Sequence, residues 1–294
     1  MKTKISVAER ILLYLNDAFL CAFTFICLYP FYSILINSLS VNSKRTNAFL
    51  PNGFTLKAYD TIFKTAGIFA SVSVSVARMV SGTLICVICS SFVAYLFTQQ
   101  EMPFRKTLYR LFVFTMYISA GFIPYYLLIS NLGMKNTFWV YIIPGAVSAY
   151  YIILVKTYIE SIPRVLQESA EIDGAGVLTV YIFIILPLCL PILACLIVFC
   201  AVNHWNSWAD NLYFVTDKNL TTLQFKLYQL LQSNMGEAMR ANPTAAASGA
   251  AAQKLTPTTL RMAMTFFTAL PILCVYPFMQ KYFIRGIMLG AVKG

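Results

Sequence analysis

The stretch Glu168–Val202 reads ESAEIDGAGVLTVYIFIILPLCLPILACLIVFCAV, and it decides the fold class of this chain. Its first part carries three carboxylates, Glu168, Glu171 and Asp173, whereas Tyr181–Val202 contains no charged residue. About 20 consecutive apolar residues cross a hydrocarbon core of roughly 30 Å as a helix. We therefore interpret the second part as a membrane-spanning helix and the first part as a loop outside the bilayer.

Composition extends this interpretation to the whole chain. Hydrophobic residues make up 59% of the 294 residues, charged residues make up 11%, and the mean hydropathy is +0.70, which excludes an ordinary soluble domain. The apolar runs are continuous rather than alternating, which favours helices over barrel strands. We predict an all-α polytopic membrane protein with a single transmembrane domain over residues 1–294. Six runs are long enough to span: Ile11–Asn37, Arg78–Phe97, Leu108–Ser130, Phe138–Tyr158, Tyr181–Val202 and Leu260–Phe283.

The first run and the cysteines have structural interpretations. The length of Ile11–Asn37 and the lack of a small-residue cleavage site favour a retained anchor over a signal peptide. Asp17 lies in the first turns of this run. Two roles of Asp17 remain open there, a polar group at the membrane interface and a member of a proton relay. All eight cysteines lie in apolar runs, which argues against disulfides and metal binding, so Cys86 and Cys89 are interpreted as packing residues.

The net charge of +11 does not indicate a nucleic-acid partner, because the basic residues are scattered and do not cluster with aromatic residues. Anionic lipid headgroups are the expected counter-charge. With both termini placed inside, the 22 basic residues divide equally between the two sides of the membrane. Loop charge therefore leaves the orientation undecided.

The connection at residues 203–259 is the longest. Its Pro243–Ala252 part is a low-complexity stretch of small residues, which fits either a tether or a segment ordered by a partner. Its first residues mix aromatic and hydrogen-bonding groups, as sugar sites and membrane interfaces both do. Arg78, near the end of its run, is interpreted as an interface anchor rather than a gate. The candidates for a substrate path here are Trp205, Asn206, Trp208 and Asp210.

The connection at residues 159–180 is the most charged short stretch, and Pro163 starts it. At helical spacing Glu168, Glu171 and Ile172 share one face. Ala170 is small, and we expect it to leave room for the close approach of another protein. This loop is therefore predicted to be a docking segment.

The end of this loop predicts a turn followed by a second helix. Asp173-Gly174 is a turn signal that lets one short helix stop and another begin. We expect the second helix to run without a break into the fifth span. Pro187 and Pro191 must then bend or loosen that span.

The residues of this region resemble a known motif. Glu168-Ser169-Ala170, Gly174, Ile184, Leu186 and Pro187 are similar in type and spacing to the EAA motif of importer permeases of the ATP-binding-cassette (ABC) superfamily. Ser169 stands where the motif usually has alanine, a small-for-small exchange that is compatible with docking.

The resemblance covers nearly the whole chain and is closest to the MalG-like permeases of carbohydrate importers. The ending from Gln280 to Gly294 is similar to the LplC-like branch, which serves complex oligosaccharides. Tyr150 and Tyr151 stand where many relatives have an asparagine, so we expect the substrate path, to which Tyr151 is assigned, to differ in detail. The other matching stretches are Ala94-Tyr95, Gly121–Pro124, Leu132–Thr137, Ile162-Pro163, Ile172–Gly174 and Trp205-Asn206.

The resemblance implies a type I importer permease of the bacterial cytoplasmic membrane with six transmembrane helices and both termini cytoplasmic. Residues 159–180 would be the cytoplasmic coupling loop, 203–259 an extracytoplasmic loop and 284–294 a cytoplasmic tail. The implied partners are a second permease in a heterodimer, two ATPase subunits that bind ATP and Mg, and an extracytoplasmic solute-binding protein. The implied coupling residues are Glu168, Ser169, Ala170, Asp173, Gly174, Leu186 and Pro187, and the resemblance implies no catalytic residue, metal site or cofactor in this chain.

Three alternatives remain open. These are an ABC permease for a solute other than a sugar, a secondary transporter, and a membrane-embedded enzyme. A secondary transporter would need ionisable residues at mid-membrane and internal repeats, and the six runs show few charges and no clear inverted repeat. An enzyme would need a nucleophile with a base, and the sequence has one histidine without a carboxylate constellation near it.

Overall fold

The structure is a computed structural model that describes residues 7–41, 49–51, 53–240 and 257–291, and most of these residues are helical. No strand occurs in this part of the chain, where Ser40 and Phe54 form an isolated antiparallel bridge. The predicted all-α class is confirmed. The elements are α1 (Val7–Ser38), α2 (Lys57–Lys64), α3 (Ile68–Leu96), α4 (Arg105–Thr115), α5 (Phe122–Asn131), 3₁₀ turns at Phe138–Tyr141 and Ile143–Gly145, α6 (Ala149–Glu160), α7 (Val165–Ile172), α8 (Val177–Val180), a π-helical turn at Tyr181–Ile185, α9 (Leu186–Leu188), α10 (Leu190–Asn206), α11 (Ala209–Phe214), a 3₁₀ turn at Lys218–Leu220, α12 (Leu223–Arg240) and α13 (Pro257–Ala291).

The chain forms two compact units, of which the first comprises residues 1–65 and 230–270. Within it, α1 is exposed along residues 9–32, as expected of a helix that faces lipid. Helix α2 is short and amphipathic, and it buries Ala58 and Ile62. The hydroxyl groups of Ser38 and Tyr59 lie 2.7 Å apart in a hydrogen bond that joins the end of α1 to α2.

The second unit comprises residues 66–229 and 271–294, and its core is built around α3. Helix α3 packs mainly against α10 and α6. Small residues on α3, among them Ser90, Ser91 and Ala94, are buried and allow the helices to approach closely. The Ser91 and Tyr181 hydroxyl groups are 2.7 Å apart, and the Tyr181 ring stacks on Tyr95 at 5.3 Å between centroids.

Helices long and apolar enough to span a membrane are present in the described part of the chain, but fewer of them are straight than the sequence predicts. Three segments of the described chain are long and apolar enough to cross a membrane: Glu9–Ser38, Ile68–Leu96 and Pro257–Val275. Two further spans are formed if each bent helix pair counts as one. Phe138–Gly145 and Ala149–Glu160 meet at 46°, and Val177–Leu188 and Leu190–Asn206 meet at 82°.

The prediction of one continuous third span over Leu108–Ser130 is wrong. The run divides into α4 and α5, which are separated by six non-helical residues, Met116–Gly121. Gly121 has φ +83°, a conformation that glycine adopts without a Cβ clash, and Pro124 lies in the first turn of α5. A proline in the first turn starts a helix more readily than it continues one.

Three other boundaries also need correction. The second span begins at Ile68 rather than at Arg78, so Arg78 lies inside α3. The helix that follows the 159–180 loop does not run unbroken into the fifth span, because it passes through a π-helical turn and a bend at Cys189. Part of the 203–259 connection is ordered as α11, a 3₁₀ turn and α12, while Pro243–Ala252 lies outside the described residues.

The segment predicted as a tail begins as helix. Residues 284–291 continue α13, and they include Gly286 and Gly290. Helix propagation across single glycines costs only about 1 kcal/mol each, which a long helix tolerates.

Candidate functional site

The loop that carries the EAA-like residues forms a helix with a defined end. Helix α7 is capped at Asp173, and Gly174 follows with φ +84°. The Gly174 amide donates to the Glu171 carbonyl at 3.0 Å, and the Ala175 amide donates to the Ala170 carbonyl at 2.9 Å. This pair of bonds is the Schellman motif, which satisfies carbonyl groups that the helix end leaves unpaired. The predicted turn at Asp173-Gly174 is confirmed.

The two faces of α7 differ. Glu168, Ser169 and Ile172 are exposed, and Ile172 keeps 86% of its surface. Ala170 is half-buried and packs, together with Ala175, against the chain's own core. The small size of Ala170 thus serves packing within this chain, and its role in the approach of a partner stays a prediction. The exposed face combines a carboxylate with an apolar side chain.

A cleft of about 490 Å³ lies beside this exposed face. One wall is the connection after α3, including Gln99 and Glu101, and the other is formed by the end of α6 and by α7. Gln99 Nε2 donates to Gln167 Oε1 at 3.3 Å across the two walls. The lining residues are Thr98, Gln99, Gln100, Glu101, Ile159, Glu160, Ile162, Arg164, Gln167, Glu168 and Glu171.

The charge of this cleft is negative. Four carboxylates line it against a single cation, Arg164. Glu160 is paired with Lys156, whose Nζ lies 2.6 Å from Glu160 Oε1. The other three carboxylates of the lining can therefore interact with a bound group. The arrangement favours a basic side chain. The sequence did not reveal the part played by Thr98–Glu101, because these residues are about 60 positions from α7 in the chain.

The remaining motif residues lie where the fifth span bends. Leu186 is partly buried against the core, and Pro187 belongs to the one-turn helix α9 that follows the π-helical turn. Proline cannot donate the backbone hydrogen bond of a helix, and such sites are a usual cause of kinks. The bend that Pro187 and Pro191 predicted is present at Cys189.

The predicted substrate-path residues do not converge on one surface. Trp205 is buried, Asn206 is exposed, and Tyr151 packs partly against the core. Trp208 stacks on Tyr228 with ring centroids 4.2 Å apart and an interplanar angle of 11°. Their assignment to a substrate path stays a prediction.

Asp210, the fifth path candidate, is held by Arg78. The Arg78 side chain is 3% exposed and forms an ion pair with the Asp210 carboxylate. Its Nη1 donates to the Ser207 carbonyl at 3.1 Å, and its guanidinium lies 4.6 Å from the centroid of the Tyr141 ring. The interpretation of Arg78 as an interface anchor is wrong, because the side chain is buried in protein.

The cysteines and acidic residues form no metal site in the part of the chain that the structure describes, which contains no group of three or more potential ligands. Cys86 lies near Cys200 rather than pairing with Cys89, and the Cys86 and Cys200 sulfur atoms are 3.5 Å apart between α3 and α10. Asp17 is exposed on α1.

Several known proteins are similar to nearly the whole of this chain. No protein-family model matches it. The polygalacturonan/rhamnogalacturonan transport system permease protein YtcP of Bacillus subtilis (strain 168) is 36% identical over 94% of this chain and 96% of the relative. Protein LplC of the same organism is 33% identical over 98% of this chain and 96% of the relative. A crystal structure of a bacterial ABC transporter involved in import of the acidic polysaccharide alginate contains a chain that superposes with a TM-score of 0.84 and 26% identity, covering 96% of this chain and 100% of the other.

Proposed function

The chain belongs to the permease family of carbohydrate ABC importers. We propose that it forms one half of the translocation path for an oligosaccharide, and that residues 159–180 transmit to it the conformational change that ATP binding causes in the ATPase subunits. As a family member it is an integral membrane transport subunit and not an enzyme. The observation that carries the coupling proposal is α7, which presents Glu168 and Ile172 outward beside a negatively charged cleft.

The coupling loop is proposed to be cytoplasmic. A short helix with an exposed carboxylate and an exposed apolar side chain suits a cleft on an ATPase subunit, where Glu168 would accept charge-assisted hydrogen bonds. Gly174 and Asp173 end that helix, and Ser169 and Ala170 set its packing. Leu186 and Pro187 stand at the bend through which movement of the loop would reach the fifth span.

The same proposal sets the topology. We assign six membrane-spanning segments, counting each broken or bent pair as one, with both termini cytoplasmic. Residues 203–259 are then extracytoplasmic, and 284–294 are a cytoplasmic tail. The location is the bacterial cytoplasmic membrane, as the family implies.

The assembly would include three further kinds of component. A second permease forms a heterodimer with this chain and completes the path. Two ATPase subunits bind ATP and Mg. An extracytoplasmic solute-binding protein delivers the sugar. The relatives named for polygalacturonan, rhamnogalacturonan and alginate support an oligosaccharide of this complex type, and a non-sugar solute is the alternative.

A charge reversal tests the coupling role. Glu168→Lys should abolish ATP-dependent uptake in reconstituted vesicles and weaken co-purification of the ATPase subunits, because a cation would replace the acceptor. Asp60→Lys is the matched control, since Asp60 is an exposed carboxylate outside the 159–180 segment and its pair with Lys64 is a surface ion pair of little energetic value. Normal uptake by Glu168→Lys at normal expression would overturn the proposal.

A further inference from the structure

The break between α4 and α5 places bare backbone on the surface of the chain. Residues 115–125 are exposed without interruption, and the non-helical part is Met116–Gly121. Tyr117 keeps 81% of its surface and Ile118 keeps 56%. The chain itself therefore does not cover this segment.

The proposed topology, in which α4 and α5 together form the third span, places the break at membrane depth. Helix α4 has 11 residues and α5 has 10, so the break is about 16 Å from the start of α4 and about 15 Å from the end of α5. Even when the hydrocarbon is taken to begin at Arg110, the break starts about 9 Å inside it. Charged residues lie near the outer ends, at Arg105 and Lys106 in the first turn of α4 and at Lys135 after α5. In that topology the non-helical residues are far from either interface.

Several backbone groups in the break have no partner in the chain. Among the described residues, no hydrogen-bond acceptor faces the amides of Ile118, Ser119 and Ala120. The Gly121 amide donates to Ser119 Oγ at 3.4 Å, which is a long bond. Helix α5 begins without a side-chain cap, so its first amides are also unpaired.

Lipid cannot supply the missing acceptors. Irregular backbone within the hydrocarbon region is tolerated where it lines a water-filled cavity or is buried in protein, because each unsatisfied group in hydrocarbon costs several kcal/mol. In secondary transporters, interrupted helices mark substrate sites for this reason. The break therefore requires a polar neighbour.

We infer that Met116–Gly121 is a contact site for the passing oligosaccharide, a site in which free backbone amides bind sugar hydroxyl or carboxylate oxygens. This inference rests on the proposed transport function and adds the residues that meet the substrate. The Tyr117 ring offers an apolar face for the C–H face of a pyranose, and its hydroxyl and that of Ser119 add hydrogen-bonding groups. Backbone amide donors suit a translocation path, because they bind oxygen atoms of the sugar without requiring one particular substituent on it.

A thiol-accessibility experiment tests the site. Ser119→Cys is introduced into a chain in which the exposed Cys21, Cys27 and Cys274 are changed to Ala. The complete importer in vesicles is treated with the hydrophilic thiol reagent methanethiosulfonate ethyltrimethylammonium, with and without ATP and vanadate. The control is Phe23→Cys, which is 57% exposed near the centre of the continuous helix α1.

The expected result is modification of Ser119→Cys in at least one of the two states, loss of uptake after modification, and no modification of Phe23→Cys. Failure to modify Ser119→Cys while the same importer still takes up sugar would overturn the inference and leave the transport function standing. Cross-linking of Ser119→Cys to the companion permease without loss of uptake would also overturn it.

A second pair of variants tests the sugar contact. Tyr117→Ala should lose uptake while Tyr117→Phe, which keeps the ring, retains most of it, and ATP hydrolysis stimulated by the binding protein should persist in both. Equal uptake by Tyr117→Ala and the unchanged chain would contradict the contact. If the unchanged chain shows no ATP-driven uptake at all, the proposed function fails and the inference fails with it.

Discussion

The Arg78 guanidinium and the Asp210 carboxylate form an ion pair between the interior of α3 and the start of α11. Arg78 is almost fully buried, and Asp210 also accepts a hydrogen bond from Ser207 Oγ at 3.0 Å. Through Nη1 the same arginine holds the Ser207 carbonyl, the residue at which α10 ends. The pair therefore ties α3 to the junction between α10 and α11.

Removing one partner of this pair should destabilise the protein more than removing both. Arg78→Leu or Asp210→Leu leaves an uncompensated charge, and we expect each to cost about 3 kcal/mol, the lower end of the range for such changes because Asp210 is partly exposed. The double variant should lose less than the sum of the two. Thermal unfolding of the purified proteins measures this, and additive losses would show that the two residues act independently.

Gly82 is required by its contact with His204. A Cβ at position 82 would lie 2.6 Å from the buried His204 ring, so α3 and α10 could not pack as closely as they do. Gly82→Ala should therefore cost about 1–3 kcal/mol by overpacking. Combining it with His204→Ala, which removes the ring, should recover part of the loss, and the melting temperatures of the three variants test this. An unchanged melting temperature for Gly82→Ala alone would contradict the close contact.

Gly174 should be intolerant of a side chain. Its φ of +84° is a conformation that costs other residues about 1–2 kcal/mol, and Gly174 lies just after the end of α7, the proposed coupling helix. We expect Gly174→Ala to lower the transport obtained per ATP hydrolysed, because α7 would end in a different orientation. Gly176→Ala is the control, since Gly176 has φ −74° and open space around its Cβ position. Equal coupling in the two variants would argue against the role of this turn.

Asn136 holds a loop through one side-chain oxygen. Its Oδ1 accepts from the Thr216 amide at 2.6 Å, from the Thr216 hydroxyl at 3.0 Å and from the Asp217 amide at 3.2 Å. Asn136→Ala should cost about 1–2 kcal/mol, because it removes the acceptor and because alanine tolerates the φ of +55° at this position less well, whereas Asn136→Asp keeps both features and should be close to neutral. Protease sensitivity near residue 216 and the melting temperature report the difference. If the two variants lose the same stability, the hydrogen bonds are not the cause.

The fold class and the turn that ends α7 could be predicted from the sequence because both depend on local patterns. An apolar run longer than the bilayer is thick must span it, and a helix satisfies its own backbone whatever lies around it. Likewise Asp173-Gly174 indicates a turn because the backbone preference of glycine is a property of that residue alone. The conformation at Gly174 agrees with that expectation.

The break in the third span shows how such patterns mislead. Leu108–Ser130 is apolar enough for one helix, and the signals against that reading were Gly121 and Pro124 within it. A proline alone does not decide, since Pro30 lies inside the unbroken helix α1. Hydropathy measures how well a segment fits lipid and does not report whether its backbone stays helical.

By itself, the sequence determined that the chain is helical and membrane-embedded, that residues 159–180 form a charged loop with a turn at Gly174, and that the fifth span bends at its prolines. Only the tertiary structure decided that Ala170 packs inward, that Arg78 is neutralised by Asp210 and that Thr98–Glu101 completes the cleft beside α7. The physical reason is range. Helix formation and partition into lipid depend on neighbours within a few turns, whereas a buried charge must find a partner that here lies 132 positions away along the chain.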